Sequence, residues 1–502
     1  TIDTDGSAAN GSTANVATAT VLDANNNPVS GAAVTWSADK GTVSFGTQDT
    51  TDANGHVSVN FTDTVAETAQ ITATLGGSSQ TEPSKFVADA ATAVVSTLVI
   101  DQDGSVANGS AANTATATVL DANNNPVAGA AVAWTADKGT VRFGTQDTTD
   151  ANGQVSVTFT DTVAETAQIT ATLGGSSQTS PSRFNGDITS AVVSTLTIDT
   201  DGSAANGSTA NVATATVLDA NNNPVSGAAV TWSADKGTVS FGTQGTTDAN
   251  GHVSVNFTDT VAETVQITAK LGSSGQTSPS SFVADTSTAQ IYSTEDTHYI
   301  SLIEISNTFE VKDANGNRIP GMKVTWSVDS NNASLSSFTS VTNESGLASV
   351  SVKDFHAESV TISASLDNGQ SLTSSFSFSG LCPDPDLDVN RDTQYADGQN
   401  RIVIYGYLDN CTTGRLLTVE ELSALGDDAY LHFSVSGVGV VSGVSGAPGS
   451  REVDIVVDVD SVHRAQGYLT STEIGDSVIT ISVSKNPGEK VSSGTLRFVA
   501  PP

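Results

Sequence analysis

The chain has 502 residues, and its 54 acidic against 19 basic side chains give a formal net charge of −35. Such a surface repels nucleic acid and anionic lipid, and no apolar run approaches the roughly 18 residues that a membrane-spanning helix needs. Two cysteines exclude a disulfide-framework miniprotein, and 5% aromatic residues with a single methionine is unlike the apolar, aromatic pockets of most large enzymes. The length suggests about three to five domains. No secretory leader is read at the start, and residue 1 already falls inside a repeat, so the chain reads as part of something longer.

Repeats organise the chain. Ile2-Asp3-Thr4-Asp5-Gly6 recurs at Ile100 and Ile198, a spacing of 98 residues, and residues 1–48 reappear unchanged as 197–244. A diverged fourth copy carries Val311-Lys312-Asp313-Ala314-Asn315-Gly316-Asn317 where the first has Val21-Leu22-Asp23-Ala24-Asn25-Asn26-Asn27. The four tryptophans, Trp36, Trp134, Trp232 and Trp326, occupy one repeat position. A period near 100 fits a whole small domain rather than a solenoid unit. The boundaries read as 1–93, 94–191, 192–288 and 289–379, with a fifth, different segment over 380–502.

Each repeat is predicted all-β. In His56-Val57-Ser58-Val59-Asn60-Phe61 and Gln70-Ile71-Thr72-Ala73-Thr74-Leu75, apolar and polar residues alternate with period two, which puts one face toward a core. Asn25-Asn26-Asn27-Pro28, Asp39-Lys40-Gly41 and Asp52-Ala53-Asn54-Gly55 supply turns. About seven short strands around one tryptophan predict an immunoglobulin-like β-sandwich without the antibody-type cysteine pair.

The run Ala17 to Asn25, followed by Pro28-Val29-Ser30-Gly31, Val34-Thr35-Trp36 and Asp52-Ala53-Asn54-Gly55, resembles the bacterial immunoglobulin-like repeat of the intimin/invasin adhesins, over residues 1 to about 379. The resemblance implies an inverse autotransporter at the bacterial cell surface. Its N-terminal β-barrel, absent from these residues, would anchor it in the outer membrane, and its extracellular passenger would carry the C-terminus farthest out. It also implies a host receptor; family members bind integrins, another bacterial protein planted in the host membrane, or host glycoproteins, immunoglobulins included. Many members end in a C-type-lectin-like domain, to which the last segment shows no match, and no Arg-Gly-Asp is present.

Residues 380–502 keep a faint outline of the repeat, with Phe433 in the place of the tryptophan, and predict a fifth sandwich with elaborated loops. Thr418-Val419-Glu420-Glu421 is a capping-box pattern that predicts a short helix over about 419–425, stopped near Gly426, with a plain polar loop as the alternative. Cys382 opens the domain and Cys411 follows its second strand, so sandwich topology puts both at the end facing the fourth repeat. In an oxidising exterior they are expected to form a disulfide, two free thiols being the alternative. A second insertion over 460–475, with His463, Arg464 and Tyr468, is expected to be a loop pointing outward together with the Gly/Ser-rich stretch 437–451. Five of the seven tyrosines and eight of the 19 basic residues lie in this segment, and both residue types anchor protein interfaces. His463, Arg464 and Tyr468 are the candidate contacts, with Asp427, Asp428 and Tyr430 as a second, lateral patch. Tyr405 and Tyr407, two apart, are read as cover for a sheet face.

No strong catalytic, phosphate-loop or zinc pattern appears. His56 has Gln154 as its repeat equivalent, so it carries no obligatory chemistry. The alternating acids Asp3-Thr4-Asp5 and Asp384-Pro385-Asp386-Leu387-Asp388 raise calcium as a weak alternative to solvated surface acids, without full EF-hand spacing; no other cofactor or metal is read. The expectation is a monomeric rod of roughly 200 Å, with four spacer repeats and a fifth domain that binds a host protein or glycoprotein noncovalently. The alternatives are self-association through the repeats, as in a biofilm, and a carbohydrate-binding tip.

Overall fold

A computed structural model describes residues 1–294, 300–385, 387–445, 447–458 and 463–502. All five units are β-sandwiches, each with its own hydrophobic core. The second repeat shows the plan. Strands Val94–Gln102, Ala112–Leu120, Gln154–Thr160 and Arg142–Phe143 form one antiparallel sheet. Ala133–Ala136, Thr166–Leu173 and Ser176–Arg183 form the other. Alternation decides the faces: Val155, Val157 and Phe159 are buried while Gln154, Ser156 and Thr158 face water. The outer rows are hydroxyl ladders, as in Thr116–Ser156 at 2.7 Å and Thr170–Thr179 at 2.9 Å.

Two local devices fix the chain in each of the first three repeats, as the second shows. Asn113 is fully buried; its Oδ1 accepts from Ser105 N–H at 3.0 Å, and its Nδ2 donates to Ser182 Oγ and Arg183 O at 2.9 Å each, tying the entry loop to the last strand. Gly153, at φ 73°, lies so close to the preceding strand that a Cβ there would sit 2.5 Å from Val119 O, so the Asp-Ala-Asn-Gly turn needs glycine.

The Asp-Ala-Asn-x-Asn turn joins each repeat to the one before. Asn125 Nδ2 donates to Thr64 O at 3.0 Å and its Oδ1 accepts from Ala66 N–H at 2.9 Å, both in the first repeat. Asn123 Nδ2 donates to Ala9 O at 2.9 Å, and Asp121 Oδ2 accepts from Asp89 N–H at 2.9 Å. The same bonds recur through Asp219, Asn221 and Asn223 at the next junction. They recur again through Asp313, Asn315 and Asn317 at the third. Burial pushes the Asp121 carboxyl up, but N–H donors from Asn125, Asp89 and Asn123 outweigh it and leave the group below its ordinary value.

In the first of the runs proposed from sequence for calcium, a carboxylate is otherwise employed. Asp5 Oδ1 accepts from Ser84 Oγ at 3.0 Å and Lys85 N–H at 2.6 Å. Asp386 lies outside the described residues, and among those described no group of three or more His, Cys, Asp or Glu side chains could hold a metal ion.

Asn125→Ala leaves Thr64 C=O and Ala66 N–H without their partner. We expect a loss of about 1–3 kcal/mol at that junction and a looser first hinge, seen as a broadened small-angle scattering distance distribution. Asn27→Ala, the same position in the first repeat, where the turn is exposed, should leave that distribution unchanged.

Candidate functional site

The fifth domain departs from the repeat plan at both ends. Its core takes in Ile303 of the fourth repeat, with Leu302 and Phe355 packed against it. Phe355 O accepts from Leu381 N–H at 2.9 Å and from Asn486 Nδ2 at 3.3 Å. Lys353 forms an ion pair with Asp428 and lies 5.4 Å from the Phe355 ring centroid. Hydrophobic packing and this pair therefore replace the asparagine clamp.

The Cys382–Cys411 disulfide is formed, with the two cysteines 29 positions apart in sequence. It pins strand Leu381–Pro383 to strand Leu408–Asn410 at the end facing the fourth repeat. The short helix spans Val419–Leu425 with both halves of the capping box in place, Gly426 at its C-cap, and Leu422 and Leu425 buried in the core. Arg415 forks onto Glu421, and this pairing, against the cost of burial, holds the Glu421 carboxyl down to about 2.

The second insertion is where expectation and structure differ. Ala465–Thr470 is a strand, paired on one side with Arg401–Gly406 and on the other with Val440–Ser442. Tyr468 therefore stands on a sheet and not on a loop. Ala465 pairs with Gly406 while Thr470 pairs with Arg401, and Val457 N–H donates to Ala429 O beside the Asp428 junction. Hence His463 and Arg464 lie at the end near the fourth repeat, opposite to the expectation. The outer end is formed instead by segments including 396–400 and 471–474, as Gly398 N–H bonding to Ser471 O shows. Residues 459–462 of the expected loop lie outside the described residues.

The candidate residues separate onto different surfaces. Arg464 and Tyr468 share the outer face of the four-stranded sheet with Arg401, Tyr405 and Gln466. The Arg464 guanidinium lies 3.8 Å from the Tyr405 ring centroid and that of Arg401 5.0 Å from the Tyr468 ring centroid; Gln466 Nε2 donates to Tyr468 Oη at 2.7 Å. His463 adopts φ 50°, and its Nε2 is withdrawn from solvent without a partner among the described residues. Tyr430 heads a strand of the opposite sheet, Tyr430–Gly437, next to the His432–Asp454 contact at 2.9 Å. Asp428 is held by Lys353, and the Asp427 side chain lies outside the description. Sequence reasoning missed Arg401 and Gln466. Period two carried the signal, since Arg401, Val403 and Tyr405 share one parity, as do Gln466 and Tyr468.

A tandem array of β-sandwiches capped by an elaborated one is thus the class that fold and site define. The family model "Bacterial Ig-like domain (group 1)" matches residues 1–87, 95–185, 193–283 and 304–379, and the chain belongs to that family. It is 32% identical over 334 residues to the inverse autotransporter adhesin YeeJ of Escherichia coli strain K12; the match covers 63% of this chain and 14% of that protein, so the chain spans about one seventh of this relative's length. Among solved structures, that of invasin, described as a bacterial integrin-binding protein, aligns over 78% of this chain and 81% of its own at 19% identity, with a TM-score of 0.40. The Escherichia coli adhesin FdeC aligns over 57% of this chain and 98% of its own at 17% identity, with a TM-score of 0.43.

Two outcomes follow from the domain's base. Replacing both cysteines by serine should lower its stability by about 3–4 kcal/mol, read from chemical denaturation with and without reductant. The Glu421 carboxyl is depressed in the folded state, so its stabilisation is complete above its ordinary value of 4.5 and lost as pH falls from there toward 2. The exchange protection of the 419–425 amides, taken relative to the intrinsic rate at each pH, should fall across that window, and Glu421→Gln should abolish the pH step.

Proposed function

We propose that the chain is the displayed part of a bacterial surface adhesin, anchored in the outer membrane by a β-barrel beyond these residues. Residues 1–379 are its stalk, and residues 380–502 bind a host surface or secreted glycoprotein noncovalently. One observation carries the reading. Three junctions in succession are built from the same asparagine–aspartate clamp between repeats whose outer faces carry mainly Ser, Thr, Asn and Asp. The fifth domain then abandons the clamp, adds a disulfide and a helix, and turns a face of tyrosine and arginine outward. Near-repeated spacers add reach without new recognition chemistry, whereas Tyr and Arg combine contact area with directional hydrogen bonds. Of the sequence candidates, Arg464 and Tyr468 are the contacts this reading keeps foremost, with His463, Asp427, Asp428 and Tyr430 secondary.

Because Ile303 and Phe355 pack into the fifth domain's core, the binding unit should be cut with the fourth repeat attached. Residues 289–502 should capture a glycoprotein from host serum or mucosal secretions that residues 1–288 do not. Capture by 1–288, or self-association of that fragment in sedimentation, would instead support contacts made by the repeats.

A further inference from the structure

The basic residues of the tip are not all used alike. Arg415 and Arg497 each pair with a carboxylate. Among the described residues, Arg401 and Arg464 pair with none, and each guanidinium rests on a tyrosine ring instead. Strand register puts Tyr405 opposite Gln466 and Val403 opposite Tyr468, so the two rings are diagonal neighbours. A guanidinium held over a ring keeps its planar N–H fork available to meet a carboxylate with two parallel hydrogen bonds. Arg401 spends one N–H on Ser445 Oγ, beside the exposed Val444.

We propose that this face is a two-point receptor for carboxylates on a protein partner, with Arg464 and Arg401 each receiving one acidic side chain. The inference rests on the reading of this domain as the binding unit and names the chemistry it recognises. Three features favour a protein. The surface is the face of a sheet carrying Tyr and Arg, the residue types enriched in the cores of protein interfaces. One face of each tyrosine ring is already covered by a guanidinium and so withheld from stacking on a sugar. The chain's net charge of −35 opposes polyanions such as sulfated glycans, and screening over about 8 Å lets only short-range pairs act, so the partner carries a few local carboxylates rather than high overall negative charge.

The test uses the full chain and an alanine-based helical peptide with two glutamates four residues apart, against its diglutamine twin and against sialyllactose, by calorimetric titration. The diglutamate peptide should bind, its twin should not, and Arg401→Gln with Arg464→Gln should weaken binding at least about tenfold with an unchanged melting temperature. Lysine at both positions should restore only part of it, because the charge returns without the fork. Absence of peptide binding, binding indifferent to the double substitution, or a preference for sialyllactose would overturn the proposal. If residues 289–502 capture a host glycoprotein equally well with both arginines replaced, the receptor assignment fails while the adhesin reading stands. If the arginine-dependent peptide binding is seen but 289–502 captures nothing from host fluids, the adhesin reading fails instead.

Discussion

A carboxylate enclosed between two β-sandwiches must have its lone pairs met by donors, or it destabilises the joint it sits in. Asp121, Asp219 and Asp313 meet that condition in the same way, and the stalk depends on it. Each accepts from its own turn and from a backbone N–H of the preceding repeat, and each orients an asparagine that reaches across to a carbonyl and an N–H. The turn is thus at once a local structure and an interdomain connector. This accounts for its presence in the diverged fourth copy, where Gly316 stands in place of the asparagines at φ 65°, 65° and 64° in the first three.

The fourth-to-fifth junction solves the same problem by other means. Apolar side chains of the fourth repeat enter the next core, and Lys353 and Asp428 close the side. The fourth repeat thus packs directly against the fifth domain's core, and that domain is braced by the disulfide and by the helix docked on Leu422 and Leu425. The Tyr/Arg face is therefore carried on strands and not on loops, which holds its side chains in a fixed pattern. Gly467 shows how the face and the core are linked: it faces the Phe433 ring, which a Cβ would approach to 3.0 Å, and the flanking Gln466 and Tyr468 are turned outward as a result.

Much of this was legible without coordinates. Period-two alternation placed the repeat strands and their inward faces, and the capping box gave the helix its limits. Sandwich topology with an oxidising exterior brought Cys382 and Cys411 together. What failed was the reading of Ala465-Gln466-Gly467-Tyr468-Leu469-Thr470 as a loop. Its inward residues include a small alanine and a glycine while its outward residues include a tyrosine, so the contrast that marks a half-buried strand is nearly inverted. That one misreading also reversed the ends, because a strand inserted between residues 464 and 471 carries the two sides of the supposed loop to opposite poles of the domain.

The amino-acid order by itself determined the repeat, the all-β class and the turn chemistry, since these follow from local periodicity and from spacing along one chain. Only the tertiary structure decided which asparagines cross between repeats, which acid is spent at a junction, and which arginines lie on tyrosines rather than on carboxylates. Those choices depend on strand register and on which surfaces meet, and residues such as Arg401 and Tyr468, more than sixty positions apart, acquire a relation only when hydrogen bonding between strands lays them side by side.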